Sequence, residues 1–300
     1  MNNYSKILHI ILNVFWAVAL TLVLLKLYEY ASPIWDRISN VNIVFVVIGI
    51  IFGLFCSFPS VWVLRNYFSE FNKNNSWSIA FFLTFLPALG KYIPGKIWAT
   101  GSFVLHANNL ANVTVSESIV FQIYFQVVGV TATTLLVIFG YFLGFEIIFS
   151  IEFLVIFIFV LVSCLGLSVL LSRNMKEYKI NLKTDRFLYH VTALVVQKIL
   201  RGICLVIFIS AFIDINAYAV IILFAFFIAI QMGLLAFFAP AGLGITEGVY
   251  MIVLSPIIGP ENAVVVALLS RVWHVLLDAI LAVMALLVKY YRLLKQPVAL

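Results

Sequence analysis

Charge is what this sequence has least of. Of 300 residues, 18 are Lys or Arg and 12 are Asp or Glu, 10% together, while 65% are hydrophobic. Soluble domains carry about 25% charged and about 45–50% apolar residues. At a mean hydropathy of +1.17 the chain cannot cover itself with a polar surface, so a soluble globular fold is excluded. Cysteine is also sparse. Cys56, Cys164 and Cys204 lie far apart in apolar runs, without metal-ligand spacing, and an odd number argues against a disulfide framework. There is no Walker-type phosphate loop, and the acidic residues are scattered rather than grouped as metal ligands at a membrane face. That removes the usual machinery of ATP hydrolysis and of metal-assisted lipid chemistry. The expectation is a protein that is not an enzyme and has no metal, cofactor or catalytic residue. Its basic residues sit mostly between apolar runs, where membrane orientation explains them, so nucleic acid is not an expected partner.

What the sequence has in abundance is long apolar runs. A spanning helix needs about 20 mostly apolar residues, and candidates fall near 7–28, 43–64, 119–143, 150–171, 191–212, 216–238 and 262–288. The run 7–28 is too long for a signal-peptide core and reads as a retained span. The loop 172–186 holds Arg173, Lys176, Lys179, Lys183 and Arg186, which predicts a cytoplasmic side. Lys6 and the C-terminal KYYRLLK ask for the same side. The fold class is therefore all-α: a polytopic membrane protein of about eight transmembrane helices, a single domain over 1–300. Two related halves, about 1–171 and 190–300, would be joined by the basic loop 172–189. The expected location is the cytoplasmic membrane of a prokaryote, with both termini inside.

Two regions, 77–105 and 239–258, are apolar but interrupted. The first holds LPALGKYIPGKIW with Pro87 and Pro94; the second holds APAGLGITEG with Pro240, Gly242 and Gly244. Proline removes a donor and disfavours helix in the residue before it. Irregular backbone at membrane depth is tolerated only inside protein or beside a watery cavity. One break in each half is the sequence mark of a transporter binding site. The first region is expected to enter and leave from the cytoplasmic face. The second is expected to cross once, with 245–258 as a short helix.

GKYIPGKIW, followed about 150 residues on by PAGLGITEG, together with Arg271 in the last span, resembles the flippase-like membrane domain of the lysylphosphatidylglycerol synthetase family. The resemblance implies a stand-alone membrane domain, with no segment long enough to house the synthetase. It also implies translocation of an anionic or aminoacylated lipid, or of a polyprenyl-phosphate-linked sugar. The alternatives are an accessory membrane subunit of a lipid- or glycan-modifying pathway and a small-solute transporter. Expected partners are membrane lipids, with a second copy of the chain or a lipid-modifying enzyme as further candidates.

Charged side chains near the bilayer centre cost about 2.5–3.5 kcal/mol on insertion scales, so each one asks for a partner or a cavity. Lys91, Pro94, Gly95, Lys96 and Trp98 form a candidate headgroup cradle, with a half-helix N-terminus after Pro94 offering free N–H groups; Trp98 is a candidate wedge. The plainer reading is that both lysines snorkel to the headgroups. Lys198 and Arg201 are candidates for a cytoplasmic vestibule, though snorkelling is favoured. Glu247 and Arg271 suggest an ion pair that pins the second break. Arg271, His274 and Asp278 share one helical face, and His274 reads as hydrogen-bonded to a neighbour rather than as a proton shuttle. Gln122, Gln126, Gly129 and Thr133 form a stripe expected to pack against another helix.

Overall fold

The computed structural model describes residues 21, 41–70, 76–93, 97–143, 151–174, 184–236 and 239–295. Among the described residues the fold is all-helical, with no strand. The expected span 7–28 lies outside them.

An asparagine-capped helix, mostly exposed on the outside of the fold, is the first described element. Asn42 accepts from the Val44 N–H at 3.2 Å and starts α1 (Ile43–Phe55), which stops at Cys56–Ser57; Pro59, with no N–H to offer, sits in the first turn of α2 (Phe58–Glu70). The two make one kinked crossing. Ser76 caps α3 (Trp77–Phe85). A 3-10 turn, Pro87–Tyr92, then leads towards α4 (Ile97–Ala111). Thr114 and Glu117 form a reciprocal capping box for α5 (Val115–Phe142). After α6 (Ile151–Asn174) and α7 (Thr184–Ser210) comes α8 (Ala219–Leu235). A second 3-10 turn, Pro240–Gly242, precedes α9 (Ile245–Ile258), and Gly259 turns the chain into α10 (Pro260–Lys295).

Three long helices, α5, α7 and α10, organise the core in two stacked clusters. At the Asp185 end of α7, Phe121, Tyr124, Phe187, Leu194 and Leu281 pack with the residues of α2, α3 and α4. At the Ser210 end, Leu136, Leu205, Phe208, Leu269 and Trp273 pack with α8 and α9. The chain direction follows from contacts. The Asn42 N–H donates to Ala211 O at the Ser210 end, whereas Tyr67, late in α2, reaches Glu117 O at the start of α5. So α1–α2 runs from one end to the other, antiparallel to α7.

Helix α3 is nine residues, about 14 Å long, which is less than half of a ~30 Å hydrocarbon core. It enters from the Asp185 end, and α4 returns there to begin α5. Both outer ends of the 77–111 segment thus lie at the same end of the fold, the course expected of 77–105. The second region also folds beside its preceding helix. Phe224 packs on Gly140 near the end of α5, Gln231 reaches Thr134 further in, and α9 comes back along α10 to Gly259. Helices α8 and α9 therefore have their outer ends together at the Ser210 end, as a hairpin, while Pro240–Ile258 is by itself long and apolar enough to cross. The Pro240–Gly242 turn stands between the two helices. By length and composition, five stretches can cross a membrane: Ile43–Ser69, Val115–Phe142, Asp185–Ser210, Pro240–Ile258 and Pro260–Tyr290. Two shorter apolar helices, Leu154–Leu167 and Ala219–Leu235, accompany them, and α3–α4 and α8–α9 have their outer ends at opposite ends of the fold. About eight spans were expected.

The Gln122–Thr133 stripe only partly packs. Thr133 is buried and donates to Gly129 O at 2.6 Å, but a Cβ on Gly129 would meet open space. Close helix approach occurs instead at Gly49, where a Cβ would lie 2.8 Å from Phe208 Cβ and 2.9 Å from Cys204 O. Gly49→Ala is expected to lower the thermal midpoint of the purified protein by an amount equivalent to about 1–3 kcal/mol. Gly166→Ala, which faces open space, should leave it unchanged in the same unfolding measurement.

Candidate functional site

Between the two apolar clusters lies a polar layer, and helix α10 carries its centre. The span Pro260–Tyr290 has Arg271, His274 and Asp278 on one face near its middle, with Arg271 and Asp278 two turns, about 10 Å, apart. Each of the two charges holds one hairpin.

Asp278 holds the first. Lys91 Nζ lies 2.6 Å from Asp278 Oδ2, and the Tyr92 hydroxyl donates to the same oxygen at 2.5 Å. Both donors come from the last residues of the first 3-10 turn. That turn sits tightly on α4, because a Cβ on Gly90 would lie 2.5 Å from Ala99 N; only glycine allows the contact. Lys91 is thus committed to a carboxylate, neither snorkelling nor free as a cradle. Trp98 is exposed on the outer side of α4 rather than wedged in the hairpin. Pro94, Gly95 and Lys96 lie outside the described residues.

Arg271 holds the second. Its Nε lies 3.2 Å from Glu247 Oε1, with side-chain exposures of 7% and 19%, and its Nη1 donates to Ala241 O at 2.9 Å. Glu247 Oε2 accepts from the Gly244 N–H at 2.8 Å and from the Thr246 hydroxyl at 2.9 Å. The pair suggested by the sequence therefore does more than neutralise charge. It satisfies a carbonyl and an N–H that the broken helix leaves without ladder partners. Ala241, Gly242 and Gly244 have φ of 49°, 70° and 82°, left-handed values that favour glycine. A Cβ on Gly242 would also lie 3.1 Å from Gly233 Cα. The two 3-10 turns touch each other, so the hairpin tips meet.

Helix α7 supplies the rest of the layer. Lys198 sits near the middle of Asp185–Ser210, about 18–20 Å from either end at 1.5 Å per residue. That is beyond the reach of its stem, and the snorkelling expectation fails on depth. Arg201, one turn on, lies with its Cζ 5.5 Å from the Trp273 ring centroid and within electrostatic range of Asp278 and Tyr92. Arg201 Nε is buried without a hydrogen-bond partner among the described residues. His274 Nδ1 is 2.7 Å from Ser270 O. A carbonyl only accepts, so Nδ1 carries the proton, and the ring stacks on Phe226.

Sequence reasoning passed over Tyr92, although it stands inside the GKYIPGK motif, and Gln197, the amide beside Lys198. Gln197 is buried and ties α7 to the α1–α2 kink. Its Nε2 donates to Ser57 O at 3.3 Å, and its Oε1 accepts from the Ser60 hydroxyl at 3.0 Å. The cysteines were also read as unrelated, yet Cys56 and Cys204 bring their Sγ atoms to 3.9 Å at the same kink. The distance between their sequence positions hid that contact. No group of three or more metal-ligating side chains occurs among the described residues.

The all-helical fold with five long apolar helices fits an integral membrane protein. No family model, curated protein or solved structure matches the chain.

Glu247→Gln leaves Arg271 buried beside a neutral amide and is expected to destabilise the protein by about 3 kcal/mol, at the lower end for breaking a buried pair. The swap Glu247→Arg with Arg271→Glu should not rescue it. Gly244 N–H still needs an acceptor and Ala241 O still needs a donor. Thermal unfolding of the single and double variants checks both statements; full recovery in the swap would reduce the pair to simple charge neutralisation.

Proposed function

We propose that this chain is a lipid translocator, in which the mid-depth layer receives a lipid headgroup while the tail remains in the bilayer. The observation that carries this reading is the meeting of two hairpins, entering from opposite ends, at one charged layer. Such an inverted pair of broken helices around a mid-membrane site is the common plan of alternating-access transporters. Charges at this depth are expensive and mark pathways more often than they stabilise. Polar atoms of the two turns are held by side chains on α10 (Asp278 and Arg271), so a shift of either hairpin against α10 would open the layer towards one end while the other stays closed.

The described Lys and Arg positions outside this layer, Arg65, Arg173, Arg186, Lys289, Arg292 and Lys295, fall towards the Asp185 end of the fold, which supports a cytoplasmic side there by the positive-inside rule. The location proposed is a prokaryotic cytoplasmic membrane. The resemblance of GKYIPGKIW and PAGLGITEG to the flippase-like domain of the lysylphosphatidylglycerol synthetase family supports the same reading.

The test is headgroup accessibility in proteoliposomes carrying fluorescent phosphatidylglycerol or a prenyl-phosphate lipid. The wild type should accelerate translocation, and Arg201→Ala or Lys91→Ala should slow it by about ten-fold or more, a barrier change of ~1.4 kcal/mol. Gly166→Ala serves as a folded control. No acceleration with either lipid would defeat the proposal, and equal rates in all variants would place the path elsewhere.

A further inference from the structure

Resting on that reading, we infer that the site selects lipids by net headgroup charge, taking a phosphate without a compensating ammonium group and rejecting aminoacylated or zwitterionic headgroups. The inference follows from the charge inventory of the layer. Four cations, Lys91, Lys198, Arg201 and Arg271, face two carboxylates, Asp278 and Glu247. Lys91 and Arg271 are already spoken for by the two ion pairs. The surplus is Lys198 and Arg201, on one face of α7 at i and i+3 and near enough to repel each other. Among the described residues no carboxylate lies within ion-pair distance of either.

Two neighbouring cations outside any ion pair are unstable company in an apolar interior. An anion beside them offsets both penalties, and the buried Arg201 Nε, which has no hydrogen-bond partner among the described residues, is a donor for a phosphate oxygen. A phosphomonoester, at about −1.5 to −2 near neutral pH, carries enough charge to face both Arg201 and Lys198, which stand outside the two ion pairs. A phosphodiester such as phosphatidylglycerol carries less. A headgroup ester-linked to lysine brings extra ammonium groups into a layer that is already cationic, where like charges add cost. The donors and the charge excess are therefore arranged against an aminoacylated substrate.

The experiment is native mass spectrometry of the purified full-length protein, incubated separately with phosphatidic acid, phosphatidylglycerol, phosphatidylethanolamine and lysyl-phosphatidylglycerol of matched acyl chains. Retention should fall in that order. Lys198→Gln and Arg201→Gln should each weaken phosphatidic acid retention by about ten-fold or more, the size of one charge-assisted hydrogen bond. In the double variant the preference for phosphatidic acid over phosphatidylethanolamine should disappear. Arg201→Lys, which keeps the charge, should retain part of the preference, and an unchanged elution profile and melting point show that the variants are folded. Lysyl-phosphatidylglycerol retained as well as phosphatidic acid, or a preference that survives the double variant, overturns the inference while leaving lipid binding intact. A separate arm adds inorganic phosphate. If phosphate binds and no lipid does, the anion site stands and the lipid reading of the previous subsection falls; if neither binds, both fall.

Discussion

Everything at mid-depth depends on α10 carrying a cation and an anion two turns apart. Asp278 takes Lys91 and Tyr92 from one hairpin, and Arg271 takes Glu247 and Ala241 O from the other. Without that helix neither 3-10 turn could sit in a low-dielectric interior, because a turn leaves peptide groups that an α-helix would bond internally. The two ion pairs are therefore part of the backbone accounting as much as of the electrostatics. They also couple the hairpins, which touch at their tips, to a single rigid element.

The layer is confined by what lies above and below it. The two apolar clusters are built by the same three helices, α5, α7 and α10, and each cluster receives one hairpin. Where the helices pass from one cluster to the other they carry Thr131, Thr133 and Thr134, Gln197, Lys198 and Arg201, and the α10 stripe. The threonines satisfy themselves by bonding back to their own helix, and Gln197 is satisfied by the kink between α1 and α2. Arg201 and Lys198 find no carboxylate. Lys198 and Arg201 are thus the charges of this layer that stand outside its two ion pairs, which is what the proposed anion site rests on.

Legibility from sequence divides by range. The two breaks were readable because proline and glycine act locally, and Pro87 and Pro240 begin the two 3-10 turns. The Arg271–His274–Asp278 face was readable because helical periodicity places those residues together whatever surrounds them. The Glu247–Arg271 pair was legible because a carboxylate and a guanidinium in apolar helices twelve residues on either side of Gly259 meet when the helices fold back. By contrast, the Lys91–Asp278 contact joins residues far apart in the chain, and nothing local announces it. Tyr92 went unnoticed for the same reason. The depth of Lys198 was misjudged because the apolar run begins near Val191, whereas the helix already starts at Thr184.

By itself the sequence determined that the chain must live in a membrane, that it is helical, where the helices break, and which residues carry charge into the apolar runs. These are consequences of composition, of periodicity and of the backbone chemistry of proline and glycine, all of which act within a few residues. Only the tertiary structure decided that the second region folds beside its preceding helix. It also decided which charge pairs with which, and that two cations on α7 stand outside both ion pairs. Those outcomes depend on which helices lie side by side, and helix neighbours are chosen by shape, as where Gly49 admits Phe208 and Gly140 admits Phe224, rather than by any pattern along one segment.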